Sequence, residues 1–199
     1  MREHRLFPYS TESDYIFDFE NIFLTYSQSI KTNFNISVAF HQLGPEVTGD
    51  FDGLHIVIRH NQPDEVNLFL LAHLFGHCVQ FNTSQHDRVM GLKDWTAENI
   101  DPEVMDAIKS YELNAGRFAL KLFHQIGILE LDQWLSDWVH ADWKYLKYLY
   151  ENGGNSETNT ARIYNSVIMN KFFEKNTPLI SPILIPAFTA RQWENRYSF

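Results

Sequence analysis

At 199 residues the chain is long enough for one sizeable core, and its 44% hydrophobic, 21% charged and 15% aromatic residues describe a globular protein and exclude a disordered one. Lys plus Arg number 16 against 25 Asp plus Glu, a net charge of −9, and no basic cluster is longer than a pair. Direct binding to a nucleic-acid backbone is therefore disfavoured, because counterion release needs a concentrated cationic surface.

The single cysteine, Cys78, cannot form an intrachain disulfide, which suits a reducing compartment. Met1 to Pro8 is followed by polar and acidic residues and no apolar stretch of signal-peptide length. The longest apolar run, Leu68 to Ala72, is far short of the ~20 residues needed to cross a bilayer. A cytoplasmic protein without a membrane segment is the expectation.

Tyr15 to Lys31 places Ile16, Phe19, Ile22, Phe23 and Tyr26 at three- and four-residue steps, which predicts an amphipathic first helix. Asn35 to His41 alternates through Ile36, Val38 and Phe40, a strand pattern with one buried face. A turn-rich stretch from Gly44-Pro45 to Gly53 leads into a second strand, Leu54 to His60, expected in the same small sheet.

Asn61-Gln62-Pro63-Asp64 suits a helix start, since Pro63 and Asp64 both fit a first turn whose amides lack internal partners. That helix is predicted from Glu65 to about Phe81. A polar connection with Gly91 and Asp101-Pro102 precedes another long helix, Glu103 to Gln125, ending near Gly127. Trp134, Leu135, Trp138, Tyr145, Leu146 and Leu149 support a further helix closed by Asn152-Gly153-Gly154-Asn155, and one more is expected over Ala161 to Lys175. From Thr177 to Phe199, Pro178, Pro182 and Pro186 predict an extended tail, because proline fixes its own backbone and biases the residue before it.

His73-Leu74-Phe75-Gly76-His77 puts two imidazoles one helical turn apart, within reach of a single metal ion. In a chain with 9 histidines, the plainer alternative is a buried pair satisfied by ordinary hydrogen bonds. The next long helix contains Glu112-Leu113-Asn114-Ala115-Gly116-Arg117-Phe118-Ala119, an E-x-x-A-x-x-F-A arrangement. Glu112, Ala115, Gly116 and Ala119 share a face whose small residues would let a neighbouring helix approach closely. A carboxylate on that face could reach the histidine pair and complete a two-His, one-carboxylate set with a fourth position open to water. Otherwise Glu112 is an ordinary exposed helix carboxylate.

Taken in order, Leu71-Ala72-His73-Leu74-Phe75-Gly76-His77 and the Glu112 motif resemble the ImmA/IrrE-type zinc metallopeptidases. That family has a short sheet, a helix with an L-A-H-E-x-G-H core and a following helix with E-x-x-A-[ND]-x-F-A, whose glutamate is the third zinc ligand. Leu54 to Ile58 stands where the family has its strand, so the resemblance spans roughly residues 15 to 125. It implies an α+β, mostly helical, zincin-type domain with a small sheet over residues 1–130. A helical C-terminal extension with the proline-bearing tail, packed on the same core, would occupy 131–199. It further implies zinc held by His73, His77 and Glu112, and a protein or peptide partner, in this family a transcriptional regulator.

Two positions depart from the family pattern. Its general base directly follows the first histidine; here that residue is Leu74, which cannot accept a proton, and general acid–base catalysis typically contributes about 10²–10⁴-fold. Its Asn or Asp four residues after the glutamate, which helps to orient a ligand histidine, is Gly116, and such support commonly contributes about 10–100-fold in metal affinity. Asn114 has a spacing that points it elsewhere. Glu65, Asp64, His55 and Tyr111 are the replacement bases to consider, whereas Cys78 and the aromatic series from Trp134 to Tyr150 read as packing residues.

The expectation is a catalytically inactive, peptidase-like binding or regulatory module in which zinc is weakly held or absent. An active zinc hydrolase with a displaced base and a metal-free structural domain are the alternatives.

Overall fold

The computed structural model describes residues 15–43, 48–93, 100–151 and 172–193. Helix α1 (Phe19–Phe34) starts where the Asp18 carboxylate accepts a hydrogen bond from the Asn21 amide, and it stops at Asn35 in the left-handed conformation. Phe23, Tyr26 and Ile30 form its buried face. The helix begins four residues later than periodicity suggests, because the cap lies at Asp18. Tyr15 and Phe17 stack outside it, and Ile16, expected on the apolar face, is 97% exposed.

Strands β1 (Ser37–His41), β2 (Gly49–Phe51) and β3 (His55–Arg59) form one sheet in the order β1-β3-β2. β1 runs parallel to β3, with Ser37 opposite His55, and β2 runs antiparallel, with Asp50 opposite Val57. The two expected strands are thus present, whereas β2 lies inside the stretch read as turns. Three residues are too few for period-two alternation to stand out.

Helix α2 (Asp64–Thr83) buries sixteen of its twenty residues, so it is the central element and not an amphipathic surface helix. Helix α3 (Gln85–Leu92) occupies the segment read as a polar connection; Ser84 caps it by accepting from the Asp87 amide. Helix α4 (Pro102–Gln125) begins as Asp101-Pro102 suggests, with the Asp101 carboxylate accepting from the Val104 amide. Helix α5 (Asp132–Glu151) turns Trp134, Leu135, Trp138, Val139 and Tyr145 inward.

One apolar cluster unites these layers: Tyr26 from α1, Ile56 and Ile58 from β3, Phe75 from α2, Phe123 from α4 and Trp134 from α5 all belong to it. Residues on both sides of position 130 therefore share a core. The molecule is mixed α and β, mostly helical, and among the described residues no helix is long and apolar enough to cross a membrane. The expected Asn152–Asn155 loop and most of the Ala161–Lys175 helix lie outside the described residues, and 173–175 are not helical.

From 177 to 193 the chain is extended, as its prolines predict, and it crosses the molecule from α5 to the β2–β3 turn. Asp137 of α5 anchors its start, accepting hydrogen bonds from the Thr177 amide and hydroxyl, the Asn176 amide, the Gln133 amide group and the Tyr15 hydroxyl. Further along, Phe188 stacks on Phe34, the Arg191 amide donates to Asn82 Oδ1, and the Trp193 amide donates to the Asp52 carbonyl. The tail is a strap over the core, held at both ends by buried aspartates.

Candidate metal centre

The site depends first on how closely α2 and α4 approach. A Cβ built on Gly76 would overlap the carbonyl of Ala115, so the two helices touch backbone to backbone at that level. Side chains one turn away on each helix consequently meet. His73 and His77 of α2 and Glu112 of α4 are all buried, and one ligand atom from each lies within 4.8 Å of the others.

Their separations are close to those of metal ligands. His73 Nε2 and His77 Nε2 are 2.9 Å apart, and Glu112 Oε2 lies 3.1 Å from the first and 3.2 Å from the second. Donors bound tetrahedrally at about 2.0–2.1 Å are themselves about 3.3–3.4 Å apart. The three atoms thus fit one small cation after shifts of a few tenths of an ångström. Two nitrogens and one carboxylate oxygen suit zinc or a similar borderline divalent ion.

Proton positions strengthen the fit for His77. Gln80 donates its amide NH₂ to the Tyr111 carbonyl at 2.7 Å, which leaves its oxygen facing His77 Nδ1 at 2.8 Å. Nδ1 therefore donates to Gln80, so a metal replacing hydrogen on this ring would bind at Nε2, the atom that faces Glu112 and His73. The ring is also fixed in plane between Phe51 of β2 and Tyr111 of α4, with centroids 5.9 and 4.7 Å away. Sequence reasoning missed Gln80, although its position three residues after His77 on the same helix was a usable signal.

His73 is held differently. Its ring stacks on Phe69 at 5.5 Å, but Nδ1 is buried with no hydrogen-bond partner among the described residues. The expected orienting acceptor from α4 is absent. A Cβ on Gly116 would lie 2.5 Å from Val139 Cγ2 and 3.3 Å from Ile180 Cδ1, so that side of α4 is filled by apolar packing. Gly116 therefore serves the approach of α5 and the tail, a correction to the expectation that it joins Ala115 in meeting α2. Asn114 accepts from Arg117 and takes no part, as its spacing suggested. The loss of histidine support thus falls on one ligand, because Gln80 supports the other.

Electrostatics keep the carboxylate ionised. Burial alone would raise the Glu112 pKa, but the charges of and hydrogen bonds from His77 and His73 hold it well below the usual carboxylate range. For His73, burial alone would lower the pKa, yet the Glu112 hydrogen bond and the charges of Asp142 and Glu112 raise it. Asp142 of α5, another residue missed at first, is buried with Oδ2 3.6 Å from His73 Nε2.

The other residues singled out lie elsewhere or do other things. Leu74 is partly buried against the core and abuts Gly49 of β2, where a Cβ would be 2.9 Å from Leu74 Cδ1. Glu65 accepts from the indoles of Trp134 and Trp138 at 2.9 and 3.1 Å, Asp64 is exposed, and His55 pairs with Asp52 at 2.8 Å. That His55–Asp52 pair lines a separate cavity of about 300 Å³ beside Ser37, His41 and Gln192. Tyr111 stands at the site as a stacking surface for His77, and Cys78 is buried. No family model, curated protein or solved structure matches the chain.

Replacing Gln80 by leucine should lower zinc affinity by about 10–100-fold, since His77 would lose the acceptor that fixes its tautomer. Chelator competition on protein with an unchanged circular dichroism spectrum measures it. Unaltered affinity would show that Gln80 does not set the His77 tautomer.

Proposed function

We propose that this chain is a degenerate zincin-type domain of the ImmA/IrrE kind, which holds a zinc ion through His73, His77 and Glu112 and does not cleave peptides. One observation carries the metal: three potential ligand atoms, one of them on a ring oriented by Gln80, converge within 2.9–3.2 Å in a buried site. Three such atoms repel one another unless a proton or a cation lies among them, and a divalent cation satisfies all three at once.

Bound in such a site, zinc would supply a Lewis acid able to lower the pKa of a coordinated water to about 7. Hydrolysis also needs a group to take that water's proton and pass it to the leaving amine. Leu74 offers none, and of the replacements considered Glu65 and His55 are engaged with other partners. Peptidase activity is accordingly absent, and the fold acts as a binding or regulatory module. Family resemblance suggests a protein partner, a transcriptional regulator, and the charge of −9 argues against the nucleic acid itself.

The zinc-loaded protein should cleave neither denatured protein nor a mixed peptide library above the rate of buffer with zinc. Zinc-dependent cleavage that disappears in His73→Ala would instead identify a hydrolase with a displaced base.

A further inference from the structure

We propose that the face formed by α4 and the tail docks an acidic, leucine-bearing segment of a partner protein, with one of its carboxylates held by Arg117. The inference goes beyond the metal centre and stands whether or not that centre is filled.

Charge is the first argument. Lys109, Leu113, Arg117 and Lys121 follow one another at four-residue steps and so form one stripe of α4, about 18 Å long. None of the three cations pairs with a carboxylate among the described residues. From Ala107 to Gln125 the only acid is Glu112, which is buried in the metal centre, and the tail from Asn176 to Trp193 has none. In a chain of net charge −9 this is a local reversal of sign, and it attracts an anionic partner.

The second argument is how Arg117 is held. Its Nε donates to the Ser181 carbonyl at 2.9 Å, and its Nη1 donates to Asn114 Oδ1 at 3.1 Å. The guanidinium is thereby fixed, with three of its five N–H groups left for a ligand. It lines a pocket of about 410 Å³ together with Ser110, Leu113, Asn114, Ile180 and Ser181. A planar fork held in place suits a carboxylate, which it grips through two parallel hydrogen bonds. The plainer role of Arg117, tying the tail to α4, accounts for two of its N–H groups and not for the rest.

Apolar surface is the third argument. Leu179 and Leu184 are 60% and 76% exposed, on either side of the tail residues that line the pocket. Between them the Ile183 amide donates to the Arg117 carbonyl, so this part of the tail is fixed on α4. A peptide that covers the leucines while its acids meet the cations uses both features. A phosphate backbone gains nothing from the leucines, and three cations are few for counterion release.

The test uses the full chain and a fluorescein-labelled hexapeptide alternating glutamate with leucine, followed by fluorescence anisotropy at about 20 mM salt, where surface charges are little screened. Saturable binding should appear and weaken at least about fivefold in Arg117→Gln. It should weaken at least about threefold when Lys109→Gln and Lys121→Gln are combined. Neither lysine holds the tail, so this double variant should melt with the wild type and keeps the test decisive even if Arg117→Gln loosens the tail. A peptide alternating glutamine with leucine should not bind.

No binding of the acidic peptide at up to about 1 mM protein would overturn the proposal. So would equal binding of the glutamine peptide, or affinity for the acidic peptide unchanged in both the Arg117 variant and the double variant. A single-stranded DNA hexamer that binds more tightly than the acidic peptide would assign the face to nucleic acid instead.

Discussion

Gly76→Ala should destabilise the protein by roughly 3 kcal/mol and abolish metal uptake, although alanine is the better helix former. In an isolated helix the substitution would gain about 1 kcal/mol. Here the added methyl would fall on the Ala115 carbonyl, a backbone group that cannot rotate away, so α2 and α4 must separate. Moving them apart by even an ångström carries Glu112 away from His73 and His77 and opens the packing of Phe75 and Phe118. Thermal unfolding and chelator competition check both halves. Gly116→Ala provides the comparison: it presses on Val139 and Ile180 side chains, which can shift, so it should cost less and leave more metal binding.

Asp137→Ala should cost about 3–5 kcal/mol, because it strips the acceptor from five donors, among them the buried Thr177 amide and hydroxyl, and hydrogen bonds to a charged group are each worth roughly 1.5–3 kcal/mol and do not simply add. The tail, the segment before α1 and α5 itself all lose their common anchor. For a chain of this size the melting temperature should fall by about 10 °C or more. The effect should also depend on pH. Burial alone would raise the Asp137 pKa, but hydrogen bonds from Thr177, Gln133 and Tyr15 lower it below the usual aspartate value.

A carboxylate depressed in the folded state contributes stability that is fully present above its unfolded pKa of about 3.9 and is lost as pH falls through the folded value. The gap in denaturant midpoint between wild type and Asp137→Ala should therefore be wide at neutral pH and shrink in strong acid. A gap that stays constant from pH 7 to pH 2 would mean that the carboxylate charge is not what anchors the tail.

Much of this arrangement was legible in the chain. The helices carrying the ligands announced themselves by Pro63-Asp64 and Asp101-Pro102, and the juxtaposition of His73, His77 and Glu112 followed from two motifs with small residues between the helices. What stayed hidden was either too short or too distant. β2 has three residues and α3 eight, fewer than periodicity needs, although Ser84 followed by Asp87 was a readable cap. Asp142 comes near His73 because α5 packs along the middle of α4, with Val139 against Gly116, a tertiary fact that local pattern does not contain. Its trace in the sequence was an acid standing in the stripe of Trp138, Ala141 and Tyr145. The prolines foretold the extended tail, but its anchors on Asp137 and Asp52 depend on side chains far apart in sequence.

The most direct test of the central claim is the metal content of the protein purified without metal supplements, measured by elemental analysis beside His73→Ala. A metal centre built from His73, His77 and Glu112 predicts about one zinc per wild-type chain and almost none in the variant. Wild-type protein that is empty, and that stays empty after dialysis against zinc, would contradict it and leave a buried His–His–Glu cluster that only packs.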